Sequence, residues 1–294
     1  MDDRQMVIVG MSGGVDSSVA ALRLLEEGRR VVGVTLKWWD RCGALADGEN
    51  CCGPQGIEDA RAVCQTLGIR HYVLNVSEAF ERDVIGPFIE EYRRGRTPNP
   101  CILCNQHIKF GLLLAKARNL GASHVATGHY AIVEKAGSRF VLRKGTDANR
   151  DQSYFLFSLD QDQLCHTLMP LGHLTKPEVR RLAARAGLKV HDKKESREIC
   201  FVPDNDYVRF LETRLGPGAF ADGDLCDVSG QFIRRHGGIE RFTIGQRKGL
   251  GGGNPVGDAD LGAVAAGHEG RPARRAVPHQ SCSQDALPTS AAEM

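Results

Sequence analysis

Through the first 130 positions, short apolar runs alternate with stripes of apolar residues at helical spacing. Met6–Val9 (MVIV) predicts a buried strand; in the following segment, 15–27, Val15, Val19, Leu22 and Leu25 fall on one stripe with Arg23 and Glu26 off it. Val31–Leu36 predicts a second strand, Ile57–Leu67 an amphipathic helix stopped by Gly68, and His71–Val76 a third strand. Strand, helix, strand, helix, strand at this spacing implies a parallel sheet with helices on its faces. From Ser77, an expected N-cap, a helical pattern runs through Phe80, Val84, Phe88 and Tyr92, with a kink expected at Pro87. The two prolines of TPNPCILCNQ (97–106) predict a loop, Ile108–Leu120 is helical again, and Ser123–Ala126 forms a fourth strand.

Further on the pattern loosens. Ile132–Glu134 and Arg139–Arg143 predict a hairpin, and Thr175–Ala186 a helix with Thr175 at its N-cap, Pro177 in its first turn and Gly187 at its end. Asp204–Leu215 predicts another helix, followed by short strands at Asp224–Val228, Gln231–Arg235 and Arg241–Ile244. From 251 to 294 there is no Phe, Tyr, Trp or Ile, while Gly, Pro and Ala total 20 of 44 residues. Such a stretch buries too little apolar surface to offset its ordering entropy, so it is expected to be an unstructured tail. The expected organisation is a sheet domain over 1–203, a small β-rich domain over 204–250 and the tail over 251–294.

Composition narrows the function classes. No apolar run reaches the about 18 residues of a membrane span, and the N-terminus is acidic where an export signal would be basic. Ten cysteines in 294 residues are too sparse for a disulfide scaffold, so a reducing, cytoplasmic setting is expected, in which some thiols serve chemistry. Residues 1–250 carry 35 basic and 31 acidic side chains, too even a balance to mark a nucleic-acid partner without local clusters.

The strongest single motif is VIVGMSGGVDSSVAA at 7–21, where a strand delivers two glycines and two serines into a helix start. Backbone N–H groups and the positive end of the helix dipole then converge on one point, which suits phosphate or pyrophosphate. No lysine follows the glycines, so this is not a Walker loop. Asp16 in the first turn is costly beside a phosphate unless it holds magnesium or a ribose hydroxyl. SGGVDSS after a strand resembles the loop of the PP-loop ATP pyrophosphatases, which cleave ATP to AMP and pyrophosphate and adenylate an oxygen of the substrate.

Two further segments bear thiols. RTPNPCILCNQHIKFG (96–111) offers Cys101 and Cys104, and ESREICFV (195–202) offers Cys200 at the end of a basic stretch. A CxxC of this kind can be a redox pair, half a zinc site or part of an iron–sulfur site; no second CxxC completes a zinc tetrad.

Taken in order, GMSGGVDSSVAA, GRTPNPCILCNQHIKFG, ATGHYA, RDQSYFL, REICFV and TIGQRKGLG resemble the tRNA-specific 2-thiouridylases over residues 6–251, about five-sixths of the chain. The resemblance implies a Rossmann-like PP-loop fold of the adenine nucleotide α-hydrolase type, ATP as substrate with Mg2+, and sulfur insertion at the wobble uridine of a tRNA anticodon loop. It places Gly10, Met11, Ser12, Gly13, Gly14, Val15, Asp16 and Ser17 at the ATP phosphates, with Leu36 at the adenine and Gly128 at the nucleotide. Cys104 is implied as nucleophile and Cys200 as persulfide carrier, the two forming a disulfide during turnover, with sulfur arriving from a persulfide donor protein. Asn99, Pro100 and Cys101 are implied to line the target base, and His129, Arg150, Asp151 and Gln152 to touch tRNA. Some family members have Asp where this chain has Cys101. An alternative reading makes Cys101, Cys104 and Cys200 the ligands of an iron–sulfur cluster.

Basic residues are expected along the RNA: Arg93, Arg94 and Arg96, then Lys176, Arg180, Arg181, Arg185, Lys189, Lys193, Lys194 and Arg197, with Arg234, Arg235, Arg247 and Lys248 adding less. Family members continue into a C-terminal β-barrel that helps grip tRNA, whereas the low-complexity tail here implies that this barrel is missing. The competing readings are another PP-loop adenylating enzyme, such as an amide-forming synthetase, and a catalytically idle tRNA-binding protein.

Overall fold

The structure is a computed structural model that describes residues 5–39, 54–194, 199–226, 231–243, 246 and 264–266. The chain divides into two compact units, 1–216 and 217–294.

The first unit is built on β1 (Met6–Gly10), α1 (Val15–Glu26), β2 (Arg30–Lys37), α2 (Pro54–Thr66) and β3 (Arg70–Asn75). Helix α3 (77–93) and helix α4 (100–119) follow, then β4 (His124–Ala126), the β5–β6 hairpin (Ala131–Ala136, Arg139–Lys144), α5 (Gln161–Cys165), β7 (Thr167–Leu168), α6 (Lys176–Arg185) and α7 (Tyr207–Leu215). Strands pair in the order β3-β2-β1-β4-β7, all parallel, as the alternating pattern predicts. Side chains of β1 alternate between faces: Val7 and Val9 enter a core shared with α1, α2 and α6, while Ile8 enters a second core with Phe110, Leu113 and Leu156. A strand covered on both faces reads as the unbroken apolar run seen in the sequence.

Two expectations of the first unit need correction. The CILC segment is helical: α4 begins at Pro100, with Asn99 as N-cap. Proline is tolerated at that first position because its missing N–H would have had no intrahelical partner. Helix α3 takes i→i+5 bonding over Glu81–Ile85, just before Pro87, where a backbone donor is absent. The compact unit runs on to Gly216, because Phe210 of α7 packs on Phe88 and Phe201 at 6.0 and 5.4 Å.

In the second unit, β8 (Gly223–Cys226) pairs antiparallel with β9 (Phe232–His236) and with β10 (Val264–Ala266). The expected strand at Arg241–Ile244 is not formed at its start, because Ile239–Arg241 closes a 3-10 turn after Gly238 at φ +125°. Residues 264–266 fall within the stretch expected to be unstructured, yet they pair with β8. The rest of the expected tail lies outside the described residues, as do Arg197, Arg247 and Lys248.

Candidate active site

The turn from β1 into α1 is shaped by close backbone approach. Gly13 sits at φ +73°, and a Cβ there would meet the Gly56 carbonyl oxygen at 2.2 Å, so only glycine lets α2 lie against the loop. Gly14 is the N-cap of α1 and no side chain caps that helix. The Ser17 hydroxyl instead bonds back, accepting from Ser12 N–H at 3.2 Å and donating to the Gly14 carbonyl at 3.2 Å. The helix start thus presents its dipole to the cleft with no side-chain cap, and the one anion of its first turn, Asp16, is paired with Lys176. Gly128 packs on this same turn, where a Cβ would come within 2.6 Å of the Ser17 nitrogen.

Asp16 does not hang free beside the loop. Its carboxylate accepts from Lys176 Nζ at 2.8 and 2.9 Å and from the Tyr130 hydroxyl at 2.7 Å. The Lys176 side chain is only 7% exposed, so its expected place among RNA-tracking cations is corrected: it is an internal counter-ion. Lys193 also turns inward, donating to the Gly13 carbonyl at 3.1 Å and to Asp59. Arg180 donates to the backbone carbonyls of His191 and Lys193 and so fixes that lysine's strand of chain. At the end of α3, Arg93 and the following Arg94 pair with Glu90, and Arg96, beyond the helix, with Glu91.

The loop opens onto a cleft of about 640 Å3 within the first unit, lined by Gly10, Met11, Ser12, Gly14, Val15, Asp16, Ser17 and Leu36 on one side. Its other walls include Cys101 and Asn105 of α4, Gly128, His129 and Tyr130 after β4, Arg150–Gln152, and Lys109, Lys176, Lys193 and Lys194. Asn105 is 1% exposed; its amide donates to the Phe155 carbonyl at 3.0 Å, while its Oδ1 has no partner among the described residues. A buried acceptor of that kind is costly unless a ligand donates to it.

His129 is buried and bonds Thr127 Oγ1 at 2.7 Å; burial, then the Lys109 charge, hold it well below the ordinary 6.5, so it is neutral at pH 7. Gln152 clamps Tyr130, accepting its N–H at 3.0 Å through the side chain and donating its own N–H to the Tyr130 carbonyl at 2.9 Å. Burial opposes ionisation of Asp151, but bonds from the Gly145 and Ser153 N–H groups and the Ser153 hydroxyl outweigh it and lower its pKa.

The thiols are placed unevenly. Cys101 is exposed and borders the cleft, while Cys104, one helical turn on, and Cys200 are half-buried; none of the three is disulfide-bonded. Cys104 opens a stretch of i→i+5 bonding over Cys104–Leu112, a local geometry often found at functional positions. Cys200 stands beside Phe201, which is 2% exposed and packs edge-on against Phe88 at 5.1 Å and Phe80 at 5.7 Å. By contrast, burial pushes the Cys64 thiol up to about 11, leaving it inert. Among the described residues, the group of three metal-ligand types with donor atoms within 4.8 Å is Asp162, Cys165 and His166, not Cys101, Cys104 and Cys200. Arg118 already bonds both Asp162 and His166 there.

Residues 5–204 match the tRNA methyl transferase HUP domain family and 208–270 the tRNA methyl transferase PRC-barrel domain family. The tRNA-specific 2-thiouridylase MnmA of Geobacter metallireducens is 53% identical over 257 residues, 86% of this chain and 70% of that one. The chain belongs to the tRNA-specific 2-thiouridylase family. Its relatives in Geotalea uraniireducens (53% identity, 90% of this chain, 72% of that one) and Clostridium botulinum strain Alaska E43 (50%, 84% and 69%) carry the same name. Among solved structures, a 4-thiouridine synthetase–RNA complex with bound ATP is similar over 71% of this chain and 50% of that one, at 17% identity and TM-score 0.43, too distant to say more.

Tyr130 and Asn105 were not singled out by sequence reasoning, and Lys176 was named only as a cation along the RNA. The first two have a local signal, since Asn105 follows Cys104 and Tyr130 follows His129 within ATGHYA, whereas nothing near Lys176 in sequence points to a partner 160 residues away.

Proposed function

We propose that the protein 2-thiolates the wobble uridine of tRNA in two steps carried out in one cleft. The observation that carries this reading is the shared wall: the glycine loop and the α4 segment bearing Cys101 line the same cavity, with Cys104 one turn further along that helix. Adenylation and sulfur delivery must both act on one uracil ring, so the two chemistries have to meet.

In the first step the uridine O2 attacks the α-phosphorus of ATP, and pyrophosphate leaves into the α1 start. The backbone of Gly10–Ser17 and the α1 dipole fit the anion; Leu36 offers an apolar wall to the adenine. The loop has no lysine of its own, and Lys176 supplies the missing cation while balancing Asp16. Mg2+ would accompany the nucleotide, and Asp16 could serve it only by giving up part of its bonds to Lys176 and Tyr130.

In the second step the terminal sulfur of a Cys200 persulfide attacks C2, the C2–O bond breaks, and AMP departs with the oxygen. The Cys104 thiolate then attacks the Cys200 sulfur, the S–S bond to the uracil-bound sulfur breaks, and 2-thiouridine remains with a Cys104–Cys200 disulfide. A thiol reductant restores the pair, and a persulfide donor protein reloads Cys200. The alternative, in which Cys101, Cys104 and Cys200 hold an iron–sulfur cluster, predicts iron and acid-labile sulfide in protein purified without oxygen, whereas the persulfide relay needs neither. A wobble base is stacked in its loop, so it has to be extruded to reach the cleft. Asn105 Oδ1, Cys101 and Arg150, which line the cleft, are the groups offered to it, with Asn99 and Pro100 standing just before Cys101 at the helix start.

Nucleoside mass spectrometry of tRNA incubated with the protein, ATP and a persulfide donor tests this. The expected product is 2-thiouridine at the wobble position with one AMP per sulfur, and none from Cys104→Ser or Cys200→Ser. Full thiolation by Cys200→Ser would sink the relay. An amide-forming synthetase would tolerate both changes, and an idle binder would show no tRNA-dependent ATP–pyrophosphate exchange.

A further inference from the structure

Directly after Arg150–Gln152 the chain makes a tight turn, Ser153–Phe155, that sorts its side chains by threes. Leu156 and Leu159 are buried in the core with Phe110 and Leu113, while Tyr154 and Phe157, also three apart, are 65% and 66% exposed. Their rings stand 6.4 Å apart, and Tyr154 lies edge-on to Phe155 at 5.6 Å. Phe155 in turn lines the cleft. A run of aromatic rings therefore leads from the cleft wall outward.

Several bonds hold this turn in place before any partner arrives. Asp151 ties Gly145 to Ser153, Gln152 clamps Tyr130 on both sides, and Asn105 donates to the Phe155 carbonyl at 3.0 Å. The last bond comes from the residue after Cys104, so the turn is registered to the cysteine helix. Two of the three RDQ residues are thus occupied in building the turn, and the surface it presents is aromatic. Large apolar rings left in water on a fixed turn call for a partner with flat apolar faces. Besides Lys176 and Lys193, whose charges are balanced by Asp16 and Asp59, the cleft beside them is lined by Lys109, Arg150 and Lys194, which favours a polyanion over an apolar protein face. Unpaired nucleotides combine both properties, and aromatic stacking is how single-stranded RNA is held without reading its sequence.

We propose that Tyr154 and Phe157 form a stacking platform for an unpaired nucleotide flanking the one that enters the cleft. This rests on the tRNA-thiolation reading and names a contact that reading lacks. Because the turn is already fixed, stacking costs little ordering entropy on the protein side.

The test is tRNA binding by the full chain across a salt series, comparing wild type with Tyr154→Ala, Phe157→Ala and the double variant, with Tyr154→Trp and Phe157→Trp as aromatic replacements. Each lost stack is expected to weaken binding about 5- to 150-fold, the range of single base–aromatic contacts. The slope of log affinity against log salt should stay unchanged, since no phosphate contact is removed. The tryptophan variants should bind like wild type, and thermal stabilisation by ATP should be the same in all variants, which separates a lost contact from a lost fold. Unchanged affinity of the double alanine variant would overturn the platform while leaving thiolation standing. A concentration-dependent dimer of wild type, dissolved by Phe157→Ala without effect on tRNA affinity, would overturn it in favour of a protein contact. A wild-type protein that neither binds nor thiolates tRNA would remove both readings.

Discussion

Two helix starts face each other across the Asp16–Lys176 ion pair, and they are finished in opposite ways. At α6 the donors are consumed internally: Glu178 accepts the Thr175 N–H and hydroxyl at 2.7 Å each, and Asp147 accepts the Lys176 N–H at 3.0 Å. At α1 the cap is Gly14, no side chain closes the turn, and the cleft opens in front of it. A glycine N-cap gives up only about a few tenths of a kcal/mol relative to a capping side chain, so the open start in a lined cavity leaves its backbone donors to an anion at small cost. The capped helix serves the uncapped one, because its fixed first turn is what aims Lys176 at Asp16.

The contrast is broken most severely at Gly13. Gly13→Ala places a Cβ onto the Gly56 backbone at a left-handed φ, so the loop must move. Since a shift of about 1 Å in a positioned group can cost about 100-fold, tRNA-dependent ATP–pyrophosphate exchange is expected to fall at least that far. Gly14→Ala is the matched comparison: its Cβ would meet only Ser12 Oγ at 3.4 Å and the residue has φ −100°, so the loop should keep its geometry, at a cost of at most about 1 kcal/mol for the poorer N-cap residue. Equal exchange rates in Gly13→Ala and wild type would show that the loop geometry is not what holds the nucleotide.

Next in size is the ion pair. Lys176→Met leaves Asp16 facing the anion site without its counter-ion, and the exchange rate is expected to drop about 100-fold, as when one charge-stabilising donor is removed. Stability should fall by about 2 kcal/mol, less than for a fully buried pair because Asp16 is 31% exposed. Adding Asp16→Asn to Lys176→Met should recover stability but not exchange. Recovery of both would reduce Lys176 to a structural partner.

The parts of this arrangement that could be read from sequence are those whose cause is local. A glycine turn between an apolar strand and a helical stripe states its own geometry, and the strands of the parallel sheet betray themselves as apolar runs because both faces are covered. The Asp16–Lys176 pair has no local signature: its two halves are joined only when α6 packs against α1 in the core containing Val19, Val179 and Ala183. Basic residues before Cys200 looked alike as a charge run, yet Lys176 and Lys193 turn inward because Asp16 and Asp59 await them there. At Pro100 the prolines were weighed as helix breakers, when position in the first turn makes one of them a helix starter. In the RDQ triplet, side chains expected at the RNA are bonded into the turn, and the exposed aromatics that follow carry no charge pattern to announce them.

The smallest effect is expected at the capped start, and it gives the control for the other two. Thr175→Ala removes the hydroxyl bonded to Glu178, at an expected cost of about 1 kcal/mol, or about 2–4 °C in Tm for a unit of this size. Glu178 gives the change a pH signature. Its pKa is lowered from 4.5, first by the Thr175 hydroxyl and then by the Thr175 N–H. A carboxylate with a depressed folded pKa contributes stability that is present above its unfolded pKa and lost as pH falls through the folded one. The gap in Tm between wild type and Thr175→Ala should therefore be full at pH 6 to 7 and narrow below pH 4.5. KM for ATP should not move, because α6 keeps its Asp147 bond and its direction toward Asp16. A Thr175→Ala protein with wild-type stability but a raised KM for ATP would reverse the assignment, making this capped start part of the nucleotide site.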